Sequence, residues 1–203
     1  MSKIKENSGV LVQGHIKIHD PESGAVFVNK RNAIHYENMS IALAESVANQ
    51  GQGFINSMAF GNGGTSVDPT GIITYLTPNS TGTNASLYNQ TFTKIVDDRS
   101  VSNLDPQRKK IETRHVNGTN YTDVVVTCLL DYGEPNGQDA TDTASASDSL
   151  YVFDELGLVS YASSGTGKLL THVIFHPVQK SLNRLIQIDY TVRVQSLTGF
   201  NEG

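Results

Sequence analysis

The sequence predicts an all-β, mainly antiparallel domain of β-sandwich or jelly-roll type carrying one α-helix. Three observations lead there. Apolar and polar residues alternate in many short runs, most cleanly over residues 185–195 (LIQIDYTVRVQ), the signature of half-buried antiparallel strands. Charged residues are 17% of the chain, and Ser, Thr, Asn and Gly take their place. Ser, Thr and Asn compete with helix by bonding to nearby backbone. Only residues 38–50 repeat at helical spacing, with Met39, Leu43 and Val47 in one stripe widened by Ile41, Ala44 and Ala48.

Taken in order, residues 1–9 form a mobile arm. Residues 10–19 alternate as a strand, and Asp20-Pro21-Glu22-Ser23-Gly24 turns the chain into a second strand over 25–29. Asn38 suits the helix N-cap, and Asn49-Gln50-Gly51 suits its end. A strand over 54–60 then runs into Gly61-Asn62-Gly63-Gly64, where three glycines in four residues should end regular structure. Residues 67–90 are weakly patterned, with one short strand at 72–76. Strands follow at 91–96, 111–116 and 121–132, the last two joined as a hairpin by Asn117-Gly118. Residues 133–148 (GEPNGQDATDTASASD) offer almost nothing to bury and form a long polar loop. Strands at 150–160, 169–175 and 185–195 complete a single domain over 10–197, and 198–203 is a tail. A chain of 203 residues can bury about 70% of its unfolded surface without disulfide or metal.

The glycine run invites a phosphate-binding reading, which fails on its neighbours. A P-loop needs Lys-Ser/Thr after the glycines, and a dinucleotide fingerprint needs glycine where Ser66 stands. Thr65-Ser66-Val67-Asp68-Pro69 supplies neither, so the run is read as a structural corner on which later strands are laid.

No catalytic, cofactor-binding or metal-ligating residues are expected. Cys128, the single cysteine, lies in a strand pattern and is a buried small hydrophobe. His15 and His19 share a strand face without further ligands. His172 and His176, four apart, would also share a face, yet no acidic third ligand accompanies them. Asp154 and Glu155 are adjacent on a strand and should face opposite sides. No Gly-x-Ser-x-Gly elbow occurs. The formal net charge of −5 argues against general nucleic-acid affinity, and Arg108-Lys109-Lys110 reads as a solvated turn. No apolar run suggests a signal peptide or a membrane span. Absence of tryptophan weakens a sugar-binding reading, although Tyr121, Tyr132, Tyr151 and Tyr161 remain.

Three motifs occur in order: MAFGNGGTSVDPTG at 58–71, FDELGL at 153–158 and FHPVQKSLNRLIQIDYTVRV at 175–194. This order resembles structural proteins of tailed bacteriophage virions, in particular small tail, baseplate, neck or fibre-attachment proteins, over roughly residues 32–197. The resemblance implies a non-enzymatic virion component, made in the host cytoplasm and held as a homo-oligomer in a symmetric ring. Its partners would be copies of itself and other virion proteins, with residues 1–9 and 133–148 as contact elements. The motif residues Gly61, Gly63, Gly64, Glu155, Gly157, Pro177 and Lys180 are then fold determinants. A capsid decoration protein and a receptor- or carbohydrate-binding module of a tail fibre are the alternatives.

Overall fold

The computed structural model describes residues 5–135 and 150–201. Its elements are β1 (Lys5–His19), β2 (Val26–Ile34), α1 (Tyr36–Val47), β3 (Ile55–Gly61), β4 (Thr65–Val67), β5 (Ile73–Tyr75), β6 (Gln90–Ile95), β7 (Lys110–His115), β8 (Tyr121–Leu130), β9 (Leu150–Ser160), β10 (Thr171–Ser181) and β11 (Ile186–Asn201). Nine strands form one antiparallel sheet in the order β6-β3-β9-β10-β2-β1-β11-β8-β7, and β4 and β5 form a separate hairpin.

The large sheet is curled at its centre. There β10 and β2 are joined by two residue pairs, Thr171 with Ile34 and His172 with Ala33. The halves on either side pack inner face to inner face. Ile16, Ile18, Val126, Ile188 and Tyr190 from one half share a buried cluster with Met58, Phe60, Phe153 and Phe175 from the other. Such face-to-face burial of alternating residues is what makes a sandwich-like all-β domain. The alternation read for the last strand holds, because Ile186, Ile188, Tyr190 and Val192 are all buried. On β3 both faces are covered. Met58 and Phe60 point into the main core, while Ala59 joins Leu87 and Leu169 in a second cluster. The weakly patterned stretch before β6 therefore supplies a lid for the outer face of β3.

Several boundaries differ from the sequence expectation. Strand β1 begins at Lys5, where an arm over 1–9 was expected, and β11 runs to Asn201 through most of the expected tail. Lys5 to Gly9 pair with Asn201 to Leu197. Neither segment alternates strongly, so only their mutual ladder bonds mark them as strand. Residues 1–4, 136–149 and 202–203 lie outside the described residues, and with them most of the polar loop expected over 133–148.

The helix starts earlier than expected, and its N-cap is His35, not Asn38. Nδ1 of His35 accepts the Asn38 amide at 3.2 Å, and its Nε2 bonds the Gly82 carbonyl at 3.0 Å. Nδ1 thus serves as the capping acceptor that an Asn side chain usually provides. Asn38 is buried and donates through Nδ2 to the Leu169 carbonyl at 2.9 Å, pinning α1 to the sheet. Past the helix, Asn49 and Gly51 take positive φ, 52° and 68°, consistent with the expected stop.

The β1–β2 turn is held by Asp20, whose Oδ1 accepts the amides of Glu22 at 2.9 Å and Ser23 at 3.1 Å. The Ser23 and Glu22 amides hold its carboxyl down from 3.8 to about 2. A depressed carboxyl contributes stability that is complete above its unfolded pKa and is lost as pH falls toward the folded value. The stability gap between parent and Asp20→Asn should therefore narrow between about pH 4 and pH 2 in urea titrations. An unchanged gap across that window would contradict the assignment.

Cys128 sits fully buried in β8. Burial pushes its thiol from 9.0 up to about 12. Because the thiolate is the nucleophile and burial also shuts out reagent, a disulfide reagent should label it far more slowly in the native chain than in urea, and equal rates would contradict this burial.

Candidate functional site

The glycine corner is organised around two carboxylates of β9. Glu155 is opposite Gly61 in the β3–β9 ladder and is fully buried. Its Oε1 accepts the amides of Gly63 at 3.1 Å and Asn89 at 2.8 Å. Its Oε2 accepts the Tyr88 amide at 2.9 Å and His172 Nε2–H at 2.9 Å. Nδ1 of His172 accepts the Asn79 amide at 2.8 Å, so the ring proton must sit on Nε2. Asp154 takes the next two amides of the loop, Gly64 on Oδ1 at 2.9 Å and Thr65 on Oδ2 at 2.9 Å, together with the Thr65 hydroxyl. The two carboxylates, expected on opposite faces, thus meet on consecutive amides because residues 61–65 wrap the strand.

Their electrostatics diverge. Burial pushes the Glu155 carboxyl up, but the bonds from His172, Asn89, Tyr88 and Gly63 outweigh it and hold the group below its ordinary value. At Asp154 burial prevails, helped by the neighbouring Glu155 charge, and the carboxyl lies above its ordinary value. Successive backbone amides make an anion-binding concavity. Here the chain's own carboxylates fill it, so the corner reading of the sequence describes these glycines and a phosphate cradle does not.

The glycines are needed for space, not for conformational freedom. Gly61, Gly63 and Gly64 all lie outside the positive-φ region. A Cβ on Gly61 would stand 2.5 Å from both the Asn89 carbonyl oxygen and Glu155 Oε1, and one on Gly63 would stand 2.7 Å from the Asn89 amide nitrogen. On Gly64 it would meet Ile174 Cγ2 at 2.9 Å. Contrary to the sequence expectation, β3 continues through Gly61.

Strand β10 carries a bulge. Between Ile174 and Val178 the ladder to β9 slips, with three residues of β10 facing Asp154 alone. Pro177 lies in this interruption, where its missing N–H removes no ladder bond, and Lys30 Nζ donates to the Ile174 carbonyl at 2.8 Å. The bulge also separates the two histidines that regular alternation would place together. His172 is buried on Glu155, whereas His176 is exposed beside the Tyr75 hydroxyl. Lys180 is wholly buried, with Nζ donating to the Ser181 carbonyl at 2.7 Å, and burial pushes its ammonium pKa down.

The remaining sequence candidates stay apart. His15 is exposed and His19 bonds Asp189 at 2.9 Å. Among the described residues no group of His, Cys, Asp or Glu has the grouping to hold a metal. In the basic cluster, Arg108 pairs with Asp105 and Asp131, and Lys110 with Glu112.

Three surface features complete the picture. The β4–β5 hairpin projects from the corner, anchored by Asp154 at Thr65 and by the Leu76 amide on the Gly64 carbonyl at 2.9 Å. An apolar pocket of about 200 Å³ lies between α1 and the sheet, lined by Met39, Leu43, Phe54, Ile111, Val124 and Val194 among others. A polar groove of about 440 Å³ is lined by Asn84, Ser86, Gln90, Thr93, Tyr161 and Lys168 among others. Sequence reading gave β5 as the short strand over 72–76 but missed its three-residue partner β4, and it missed the buried roles of His35 and His172. The pairing of residues 153–158 (FDELGL) with the glycine run was the available signal for the carboxylate corner.

Together these features define a sandwich-like antiparallel β domain with a self-satisfied carboxylate corner and a projecting hairpin. No family model, curated protein or solved structure matches the chain.

Proposed function

We propose that the chain is a structural component of a tailed bacteriophage virion, in the tail, neck or baseplate, and that it acts by multi-copy protein–protein assembly without catalysis. One observation carries the reading. The motif residues Gly61, Gly63, Gly64 and Glu155, through which the chain resembles such proteins, converge on a corner that supports an exposed apolar hairpin. The polar groups of that corner bond one another, so the motifs serve a scaffold and the scaffold presents a contact element. Subunits repeated around an axis need such recurring contact elements. Quantitative mass spectrometry of gradient-purified particles tests the reading. It should find the chain in several copies per particle, and its absence from particles would overturn the proposal.

A second reading is favoured by the polar groove beside Tyr161. Its size falls within the range of ligand sites, roughly 300–1,000 Å³, and its amide and hydroxyl lining would suit a glycan of a host receptor. Titration with host-surface glycans distinguishes it: saturable heat lost on Tyr161→Ala would favour a receptor-binding module.

A further inference from the structure

We infer that the polar groove beside Tyr161 binds an acidic saccharide, with a sugar ring on Tyr161, the anionic group on Lys168 and hydroxyls on Ser57 at the floor. This rests on the second reading above and names the ligand class of that groove. It holds wherever the chain sits in a particle.

The floor holds an unanswered hydroxyl. Met58 points into the main core and Ala59 into the outer cluster, so Ser57 shares the outer face of β3 with Ala59, beneath the groove. Ser57 is 5% exposed, and its hydroxyl forms no hydrogen bond among the described residues. The buried side-chain atoms sealed without a partner are Asn32 Oδ1 and Asn38 Oδ1, so the Ser57 hydroxyl is not sealed and opens onto the groove. A nearly buried hydroxyl without a partner costs free energy until a guest or water completes it. Above it, the Asn84 side-chain amide is unbonded among the described residues, and Gln90 donates to the Thr93 hydroxyl at 2.8 Å but keeps its carbonyl oxygen free. Such amides offer donors and acceptors together, the complement of neighbouring sugar hydroxyls.

Rim and charge narrow the ligand. The Tyr161 ring stacks on Phe54 with centroids 4.9 Å apart and planes at 8°, so one face is held in place. Tyr161 is still 37% exposed and borders the groove. A braced ring with an apolar body and a hydroxyl tip suits the C–H face of a sugar. Lys168 is the one charged residue lining the groove, and its ammonium forms no ion pair or hydrogen bond among the described residues. Its backbone is fixed on both sides, the amide donating to Ser160 Oγ at 3.0 Å and the carbonyl accepting the Ser160 amide at 2.9 Å. No Asp or Glu lines the groove, so this single positive charge stands alone there in a chain of formal charge −5. A neutral saccharide leaves the ammonium unanswered, whereas a carboxylate, sulfate or phosphate on the sugar pairs with it. A nucleic-acid strand also brings an anion, but one lysine does not offset its repulsion by a chain of negative net charge.

Isothermal titration calorimetry of the full chain tests this, with sialyllactose and trigalacturonate set against their neutral counterparts, lactose and the trigalacturonate methyl ester. At least one acidic probe should bind saturably, about tenfold or more tighter than its neutral counterpart. Lys168→Gln should erase that preference and Lys168→Arg should retain it. Ser57→Ala should weaken binding about fivefold without lowering the urea midpoint, because no bond inside the chain is lost. Equal affinity for acidic and neutral probes would retain the groove as a glycan site and overturn the acid selectivity. Heat from none of the four probes would overturn both the selectivity and the glycan reading beneath it. Acetate or phosphate competing as strongly as the acidic saccharide would reduce the groove to a simple anion site, and an oligothymidylate binding more tightly would make it a nucleic-acid site. Either result would overturn the proposal. So would parental affinity in both Lys168→Gln and Ser57→Ala.

Discussion

Glu155→Gln should destabilise the fold by about 4 kcal/mol, a large part of the roughly 5–15 kcal/mol that holds a domain together. The glutamate accepts four bonds, two on each oxygen, from Gly63, Asn89, Tyr88 and His172. Glutamine has nearly the same shape but only one acceptor oxygen. Whichever way its amide turns, two buried donors face its NH₂ group. Each lost partner in a dry site costs about 1–3 kcal/mol, which sets the estimate. Urea unfolding of parent and variant at neutral pH measures it. A loss below about 1 kcal/mol would mean that water or a shifted loop can replace the carboxylate. Because three of the four donors are backbone amides of residues 63, 88 and 89, the same variant should speed hydrogen exchange there first.

Gly157→Ala should cost about 3 kcal/mol, at the upper end of ordinary overpacking. A Cβ at this position would stand 2.5 Å from Leu169 Cδ1 and 2.5 Å from the Thr171 carbonyl oxygen. The leucine tip can rotate away, but the carbonyl belongs to β10. Its neighbouring side chain is also fixed, since the Thr171 hydroxyl oxygen accepts the Leu158 amide at 3.0 Å. Relief therefore requires two strands of the sheet to separate. Gly9→Ala is the control, because a Cβ there meets nothing within 4 Å. It should leave the unfolding midpoint where it is, while Gly157→Ala lowers it markedly. Equal behaviour of the two variants would show that the close approach at Gly157 is relieved cheaply.

Much of the architecture was legible in the sequence because it rests on period-two alternation. Residues 185–195 show that pattern, with Ile186, Ile188, Tyr190 and Val192 inside, whereas 121–130 and 55–60 were legible as apolar strand runs and bury consecutive residues on both faces. The helix was legible from its spacing, but its buried face is Asn38, Met39 and Ala42, with Ala44, Val47 and Ala48 of the expected stripe exposed, and its cap was not legible. Capping depends on which acceptor reaches the amide, and the imidazole of His35 reached it while Asn38 was drawn inward by the Leu169 carbonyl. The corner was half legible. Three glycines beside an apolar strand mark a close approach, but what approaches is Glu155, some ninety residues away, and no local pattern encodes a contact at that separation. The ends of β1 and β11 were illegible for a related reason, since each depends on the other. The bulge at Pro177 broke the spacing argument for His172 and His176, because four residues share a face only where the strand is regular.

The most direct test of the central claim, that this chain works by repeated contact with protein neighbours, is a cryo-EM reconstruction of the purified particle. The account predicts symmetric copies of the domain, with Val67 and Ile72 of every copy covered by an adjoining protein surface. A reconstruction without the chain, or one in which each β4–β5 hairpin stands free in solvent, would contradict it.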